Sequence, residues 1–241
     1  ELLGPFTRFA CGDTVEWFTG DTCNGSPFAT GTSVSVNPTS TTTYSSRTMD
    51  STTTCVSECA SSTITVTVRP NPTIAIVGDP QSICVNGTTA GLGGNTPIVG
   101  TGNWSVVSGG TGTFNPDNTT PNATFTHVTG AGPVVARWTI SNLPCTDSSE
   151  QVVITIAAQP TADAGGPYHT CGTTTVSLNG SATNQSAVTW STNGTGAFSN
   201  GDSLFASYTP SDADVAAGGV MLTLTASNPP CSADASSAVI T

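Results

Sequence analysis

Positive charge is almost absent from this chain. It contains no lysine, and its four arginines (Arg8, Arg47, Arg69 and Arg137) offset only part of 15 acidic residues, which leaves a formal net charge of −11. Such a surface repels a phosphate backbone, so nucleic acid is not an expected partner. The chain also lacks a basic face for anionic membranes, and no apolar run approaches the ~20 residues that span a bilayer. Membrane insertion is therefore not expected.

Residues suited to catalysis are also scarce. The two histidines, His127 and His169, lie far apart in the sequence, and neither has a serine or cysteine nearby in a recognisable nucleophile setting. We interpret both as surface or packing residues. Asp212 and Asp214 could form a carboxylate pair, but aspartates so close together in a turn are usually solvated. No enzymatic activity is predicted.

Metal ligands show no recognisable spacing. Asp163, Asp212, Asp214 and Asp234 could in principle contribute to a calcium site, which needs six to eight oxygen ligands. No EF-hand or repeat-toxin pattern is present, and no histidine stands beside the Cys55-x3-Cys59 spacing to complete a zinc site. We interpret the aspartates as ordinary turn residues and expect neither a metal nor a cofactor.

What the chain does contain is a long internal repeat. The interval from Trp104 to Cys145 is equal to the interval from Trp190 to Cys231. Both cysteines close the pattern Ser-Asn-x-Pro-Cys, and the second copy follows the first at one constant offset. A period of about 86 residues, which is the size of a small domain, indicates an array of domains.

The repeat and two proline linkers divide the chain into three modules. The linkers are Arg69–Thr73 and Ala158–Thr161, each of which follows an alternating strand. Proline cannot continue a strand ladder, so each linker marks a boundary. The predicted domains are residues 1–70, 71–158 and 159–241.

Each module is predicted to be a β-sandwich. Apolar residues alternate with polar ones in several short runs and no helical stripe is seen, although residues 212–217 could form one turn of helix. The alternating apolar residues are Ile64, Val66 and Val68, then Val134, Ala136 and Trp138, then Val152, Ile154 and Ile156, then Val220, Leu222 and Leu224. The fold class is therefore all-β, with three tandem antiparallel two-sheet sandwiches.

One tryptophan recurs in each module at a similar place: Trp17, Trp104 and Trp190. A carbohydrate-binding module would display coplanar aromatic side chains on its surface. A single tryptophan in each repeat is better explained as a core residue. Trp138 occupies the place of Leu224 and is also expected in the core.

Eight cysteines and few charged residues favour disulfides in an oxidising compartment. Module two contains only Cys84 and Cys145, and module three only Cys171 and Cys231. Because the two cysteines are almost equally far apart in both modules, the sequence predicts one disulfide within each module. Closing loops of this length is worth about 4 kcal/mol in the chain-entropy model.

Module one is different from the other two. Its four cysteines, Cys11, Cys23, Cys55 and Cys59, allow three pairings, and both Cys55 and Cys59 fit as the counterpart of Cys145. Cys11 lies much closer to Trp17 than the first cysteine of either later module lies to its own tryptophan. The stretch missing between the first cysteine and the tryptophan is about as long as one strand with its turn.

Two interpretations of this short start remain open. The chain could be a window from a longer array in which module one is a variant. Alternatively, module one could lack a strand that another chain supplies, as in donor-strand filaments. Pairing of Glu1–Phe9 or Ala238–Thr241 between subunits would favour the second interpretation.

Several motifs resemble known domain families. The opening of module three, Pro160-Thr-Ala-Asp-Ala-Gly165 and Val176-Ser-Leu-Asn-Gly-Ser181, resembles PKD-like domains. Its later GTGAF, SYTPSDAD and TLTASNPPC stretches are similar to the PKD-like variant of very large secreted surface proteins of gliding bacteria, and module two carries similar marks less completely. Module one, with Val15-Glu-Trp-Phe18 and Cys23-Asn-Gly-Ser-Pro27, resembles an immunoglobulin-like module.

The resemblance implies a tandem stalk or adhesin that is exported to the cell surface and often glycosylated, with no catalytic residues. O-linked sugar would be expected on the bacterial pattern at Thr14, Ser51 and Ser203. Asn-x-Ser/Thr sequons, which a chain rich in Ser and Thr produces frequently by chance, include Asn86, Asn118 and Asn122.

The sequence as a whole favours a non-enzymatic, extracellular stalk or adhesin of a bacterial surface. Its expected partners are other copies or neighbouring modules of the same array, and surface glycans or other cells. Two alternatives remain: a filament subunit assembled by strand exchange, and an ancillary binding region of a secreted polysaccharide-degrading enzyme.

Overall fold

A computed structural model describes residues 2–3, 12–130 and 132–241. These residues form strands and one short helix, as the alternating sequence pattern predicts. Residues 1–70 contain β1 (Leu2–Leu3), β2 (Thr14–Thr19), β3 (Ala29–Thr30), β4 (Val34–Ser35), β5 (Thr42–Met49) and β6 (Ile64–Val66). Residues 71–158 contain β7 (Gln81–Cys84), β8 (Thr101–Ser108), β9 (Thr111–Asn115), β10 (Thr124–Thr129), β11 (Val134–Ser141) and β12 (Ser148–Ala157).

Residues 159–241 carry the remaining elements. They are β13 (Thr161–Asp163), β14 (Val176–Ser177), β15 (Ser181–Thr183), β16 (Ala187–Thr192), β17 (Ala197–Ser199), β18 (Ser207–Thr209), α1 (Asp212–Ala216), β19 (Val220–Asn228) and β20 (Cys231–Ile240). The all-β fold of antiparallel sheets is confirmed. The short helix lies where the sequence predicts one turn.

The chain forms two compact units. The first contains residues 1–72 together with the short segment 142–146, and the second contains residues 73–141 and 147–241.

The first unit contains a four-stranded sheet in the order β3-β2-β5-β6, and β1 pairs antiparallel with β4. Its small core centres on Trp17 and Tyr44. Directly opposite each other on β2 and β5, Glu16 and Arg47 form an ion pair of 2.7 Å, with the arginine lying over the ring of Phe18. Leu2 and Leu3 pair with β4 of the same chain. The rest of this candidate segment for strand exchange, Glu1 and residues 4–9, lies outside the described residues. The other candidate segment, Ala238–Thr241, contains the end of β20, which pairs with β19 of the same chain.

In the second unit, residues 73–158 form a sheet in the order β7-β12-β11-β8, with β9 and β10 paired separately. Strand β7 is parallel to β12, and the other pairs are antiparallel. Strand β11 alternates buried and half-buried residues along its whole length, because one face packs on the core. The core contains Trp104, Phe125, Trp138 and Ile154.

Residues 159–241 form sheets in the orders β16-β19-β20, β14-β18-β17 and β13-β15. Their core includes Trp190, Tyr208, Leu222 and Leu224. The strand register repeats that of residues 71–158: Trp104 stands opposite Trp138, and Trp190 stands opposite Leu224. The predicted equivalence of Trp138 and Leu224 is therefore confirmed.

The predicted disulfides within modules two and three are wrong. Instead, Cys84 is bonded to Cys231, with 4.8 Å between their Cα atoms. Parallel pairing places Cys84 beside Ala157, the last residue of β12, whereas Cys145 precedes the first residue of that strand. The extended strand between them spans about 30 Å, far beyond the reach of a disulfide. Counting residues between cysteines does not reveal at which end of a sheet each one lies.

The two cysteines of the other predicted pair also lie at opposite ends of a strand. Cys231 begins β20, and Cys171 follows Tyr168, which pairs with Ile240 at the far end of that strand. In residues 1–70 the structure resolves part of the open pairing: Cys23 is bonded to Cys59, and Cys11 lies outside the described residues.

Candidate functional site

The repeated Ser-Asn-x-Pro-Cys pattern forms the tip of a β-hairpin in both copies. One tip, residues 141–145, joins β11 to β12, and the other, residues 227–231, joins β19 to β20. Both contain a cis peptide bond before the proline that precedes the cysteine. Each tip lies against a linker, and its asparagine and cysteine contact the linker at equivalent residues.

Asparagine makes the first of these contacts. The side-chain amide of Asn228 donates to the carbonyl of Ala158 at 2.9 Å, and that of Asn142 donates to the carbonyl of Pro70 at 2.7 Å. Ala158 and Pro70 both lie two residues before the linker proline. The asparagine of the pattern therefore holds the backbone of a linker that precedes it by 70 residues or more.

Cysteine makes the second contact. Cys231 Sγ lies 3.4 Å from the carbonyl oxygen of Ala157. Cys145 Sγ lies 3.6 Å from the carbonyl oxygen of Arg69 and 3.5 Å from that of Pro70. Ala157 and Arg69 both stand three residues before the linker proline. The repeated pattern is thus a device for holding the linker, which the alignment of the two copies did not reveal.

Around the second linker a covalent bond completes the arrangement. Cys84, the last residue of β7, stands beside Ala157 of β12. Its disulfide to Cys231 joins residues 71–158 to residues 159–241. The Gln159 amide donates to the carbonyl of Ser232 at 2.8 Å. We call this group, formed by Cys84, residues 157–160 and residues 227–232, the linker clamp.

A further pair of contacts supports the clamp from module three. The amide nitrogen of Ala162 donates to the carboxylate of Asp234 at 2.7 Å, and the side chain of Asn184 donates to the carbonyl of Gln159 at 3.0 Å. Disulfide and hydrogen bonds together fix the chain on both sides of Pro160, which is itself buried. The geometry therefore limits bending at this linker.

Asp214 is not solvated, contrary to the interpretation from the sequence. Its carboxylate is buried and accepts hydrogen bonds from the backbone amides of Thr195, Gly196 and Ser211, at 2.8 to 3.0 Å. The Tyr208 hydroxyl donates to it at 2.7 Å. The amide of Thr195, followed by the other donors, holds the pKa of Asp214 well below its ordinary range although burial opposes the shift.

Residues around Asp214 fix its carboxylate and leave space for it. Ser211 and Asp214 form a capping box at the start of α1, which fixes the carboxylate in place. A Cβ atom at Gly194 would lie 2.5 Å from that carboxylate, and one at Gly196 would lie 2.7 Å from it. Burial raises the pKa of the Tyr208 hydroxyl, which keeps it a donor. The GTG motif therefore makes room for a structural aspartate.

The remaining aspartates considered for calcium are dispersed. Asp163 accepts from the amide of Gly165, Asp234 accepts from Ala162, and Asp212 is exposed on α1. In the part of the chain that the structure describes, no group of three or more His, Cys, Asp or Glu residues is placed to hold a metal ion. No described helix is long and apolar enough to cross a membrane.

All four tryptophans are buried, as predicted. The indole nitrogens of Trp17, Trp104 and Trp190 donate to backbone carbonyls at 2.9 to 3.0 Å. Trp138 is fully buried without such a partner. None of the four is presented to solvent as a platform for sugar.

The histidines occupy different environments. His127 is buried, and its Nδ1 lies 3.5 Å from the amide of Asn86. His169 is exposed and contacts the hydroxyl of Thr241 at 2.8 Å.

The predicted sugar sites differ in accessibility. Asn86, Asn118, Asn122 and Ser51 are all exposed. Thr14 and Ser203 are half-buried, and the Ser203 hydroxyl accepts a hydrogen bond from the amide of Phe205. Glycosylation at these residues stays a prediction.

Comparison with known proteins gives structural neighbours alone. No family model matches the chain, and no curated protein matches it. Among solved structures, Drosophila OTK extracellular domains 3–5 matches with a TM-score of 0.38 and 10% identity, over 94% of this chain and 85% of that one. Sidekick-1 immunoglobulin domains 1–4 matches with a TM-score of 0.40 and 11% identity, over 100% of this chain and 70% of that one. Human CDH23 EC21–23 matches with a TM-score of 0.40 and 12% identity, over 94% of this chain and 88% of that one. Similarity this low carries no information on function.

Proposed function

We propose that this chain is a non-enzymatic segment of an extracellular bacterial surface protein, in which tandem sandwiches form a stalk or adhesin. The observation that carries the proposal is the Cys84–Cys231 disulfide, because it joins two successive sandwiches and not two strands of one. Because this disulfide connects the two modules in addition to the linker, it restricts the orientation of one module relative to the next. Domains that act independently have no need of such a bond.

The disulfide also determines which residues carry a pulling force. Tension applied along the chain passes through β7 to Cys84, crosses the disulfide to Cys231 and continues along β20. The two cysteines are 147 residues apart, so that stretch is shielded from extension. A fully extended chain spans about 3.3–3.6 Å per residue, so the shielded length is about 500 Å.

Single-molecule pulling on the full chain tests this mechanical role. We expect the oxidised chain to gain about 500 Å less contour length on unfolding than the Cys84→Ala/Cys231→Ala variant. The Cys23–Cys59 disulfide is present in both and cancels. Equal gains in length would contradict the load path.

The proposal also includes the location of the protein and its partners. Disulfides and a net charge of −11 are consistent with an oxidising extracellular compartment. The partners would be neighbouring modules or other copies, and surface glycans or other cells. Antibody labelling of intact bacteria should detect the protein without permeabilisation, and labelling confined to permeabilised cells would reject the assignment. An intact mass before and after deglycosylation tests the predicted sugar sites, and an unmodified mass would remove them.

A further inference from the structure

Cys171 occupies the same position in module three that Cys84 occupies in module two. In module two, Gln81 pairs in parallel with Ile154, and Cys84 follows Gln81 by three residues. In module three, Tyr168 pairs in parallel with Ile240, and Cys171 follows Tyr168 by three residues. Ile154 and Ile240 are themselves equivalent, because they stand opposite Val134 and Val220 at the start of matching strands.

The hydrogen bonds of the two parallel pairs follow the same pattern. The amide of Val85 donates to the carbonyl of Ala157, and the amide of Thr170 donates to that of Thr241. In each pair the donor lies one residue after the position that the parallel register places beside the acceptor. If the register of Tyr168 and Ile240 is continued, Cys171 falls opposite the position three residues after Ile240, just as Cys84 lies opposite Ala157, three residues after Ile154.

The state of the sulfur atoms differs between these two positions. Cys84 is bonded to the hairpin cysteine of the following module, Cys231. Cys171 is exposed, and its sulfur forms no disulfide among the described residues. In the preceding repeat, the cysteine at the equivalent position is bonded to the cysteine of a Ser-Asn-x-Pro-Cys hairpin.

We propose that Cys171 is a covalent docking site for the Ser-Asn-x-Pro-Cys hairpin of a further module of this kind. The inference rests on the proposed function, in which a disulfide joins two successive modules. At the first linker the hairpin cysteine, Cys145, forms no disulfide among the described residues. The Cys171 thiol and the hairpin thiol lose two protons and two electrons and form one S–S bond. A disulfide oxidant such as oxidised glutathione accepts them and is reduced to two thiols.

Extension of the full chain tests the proposal. Because Thr241 is equivalent to Thr155, a copy of residues 156–241 appended after Thr241 continues the chain in the way that residues 156–241 follow Thr155. In the appended copy, the residue equivalent to Cys171 is replaced by serine. After oxidation in a glutathione buffer, remaining thiols are alkylated and disulfides are mapped by mass spectrometry of non-reduced peptides.

We expect a disulfide between Cys171 and the appended hairpin cysteine, formed as completely as Cys84–Cys231 in the same molecule. The matched Cys171→Ser chain should leave the appended cysteine alkylated. If the appended copy is folded, the methyl groups of module three should give a second set of dispersed NMR signals, because the copy has the same core residues. Alkylation of both thiols in a folded extension would overturn the proposal, and so would an appended copy that stays unfolded beside an oxidised native chain.

The outcome is separable from that of the proposed function. If Cys171 remains a thiol while the pulling experiment still shows the shielded length of the Cys84–Cys231 loop, the docking site is wrong and the stalk proposal stands. If the shielded length is missing, the stalk proposal fails whatever Cys171 does.

Discussion

Removing the Cys84–Cys231 disulfide should cost much of the stability of modules two and three. The perturbation is the double substitution Cys84→Ala/Cys231→Ala, which deletes the bond and leaves no new polar group. The two sandwiches have separate hydrophobic cores, so either could unfold while the other remains folded. The loop that the disulfide closes in the unfolded chain therefore differs between the two cases.

The structure gives similar magnitudes for both cases. If modules two and three unfold together, the bond closes a loop of 147 residues, worth about 5 kcal/mol in the chain-entropy model. If module three unfolds alone, Cys231 stays tethered to Cys84 beside Ala157, which closes a loop of 74 residues, worth about 4.5 kcal/mol. Native disulfides cost about 2–5 kcal/mol to remove, so a loss in that range is expected.

Urea denaturation followed by tryptophan fluorescence measures this loss, since Trp104, Trp138 and Trp190 are all buried. In thermal unfolding the same loss corresponds to a Tm lowered by about 10 °C. Cys171→Ala is the matched control, because this cysteine is exposed and in no disulfide among the described residues. A loss below about 1 kcal/mol in the double variant would refute the account of the clamp as a constraint on the unfolded chain.

Three further predictions concern single side chains. Because the pKa of Asp214 is depressed in the folded state, its contribution to stability is present above about pH 4 and lost as the pH falls. Asp214→Asn should therefore lower the Tm at pH 7 and flatten the acid-side decline between about pH 4 and 2, and an unchanged pH profile would contradict the site. Leu222→Ala should cost about 3 kcal/mol in urea, because the side chain is fully buried, whereas its exposed neighbour Met221→Ala should cost under about 0.5 kcal/mol; similar costs would refute the predicted core face. Arg47→Ala should cost about 2 kcal/mol because it leaves the buried Glu16 carboxylate unpaired. A loss in the Glu16→Ala/Arg47→Ala variant that is smaller than the sum of the two single losses would confirm the pairing, and a strictly additive loss would reject it.

The architecture could be predicted from the sequence because it depends on short-range patterns. Alternation in Val220, Leu222 and Leu224 requires a strand with one buried face, and burial of all three is observed. The equal spacing from tryptophan to cysteine established the equivalence of Trp138 and Leu224. These features require only the period of a strand and the comparison of one copy with another.

The linker clamp could not be predicted in the same way. Its disulfide depends on β7 running parallel to β12, which places Cys84 beside Ala157, at the end of a strand from much later in the chain. Alternation predicts a strand without predicting its direction. The shared Ser-Asn-x-Pro-Cys pattern was recognised, but its contact with the linker depends on tertiary packing.

Asp214 illustrates a second limit. Its two upstream donors lie on a loop 18 and 19 residues away, and burial depends on glycines that let this loop approach. A signal was present: Ser211 followed by Asp214 is the spacing of a capping box, with aspartate in the place of glutamate. The combination of that spacing with GTG would have distinguished a structural aspartate from a solvated one.

The most direct test of the account is whether modules two and three keep one relative orientation in solution. Residual dipolar couplings of backbone amides, measured by NMR on the oxidised full chain, report the alignment of residues 71–158 and residues 159–241 separately. The account predicts that both sets fit a single alignment tensor, because the linker clamp fixes the chain on both sides of Pro160. Two tensors of different magnitude would mean free reorientation at the linker, and would contradict the proposed stalk.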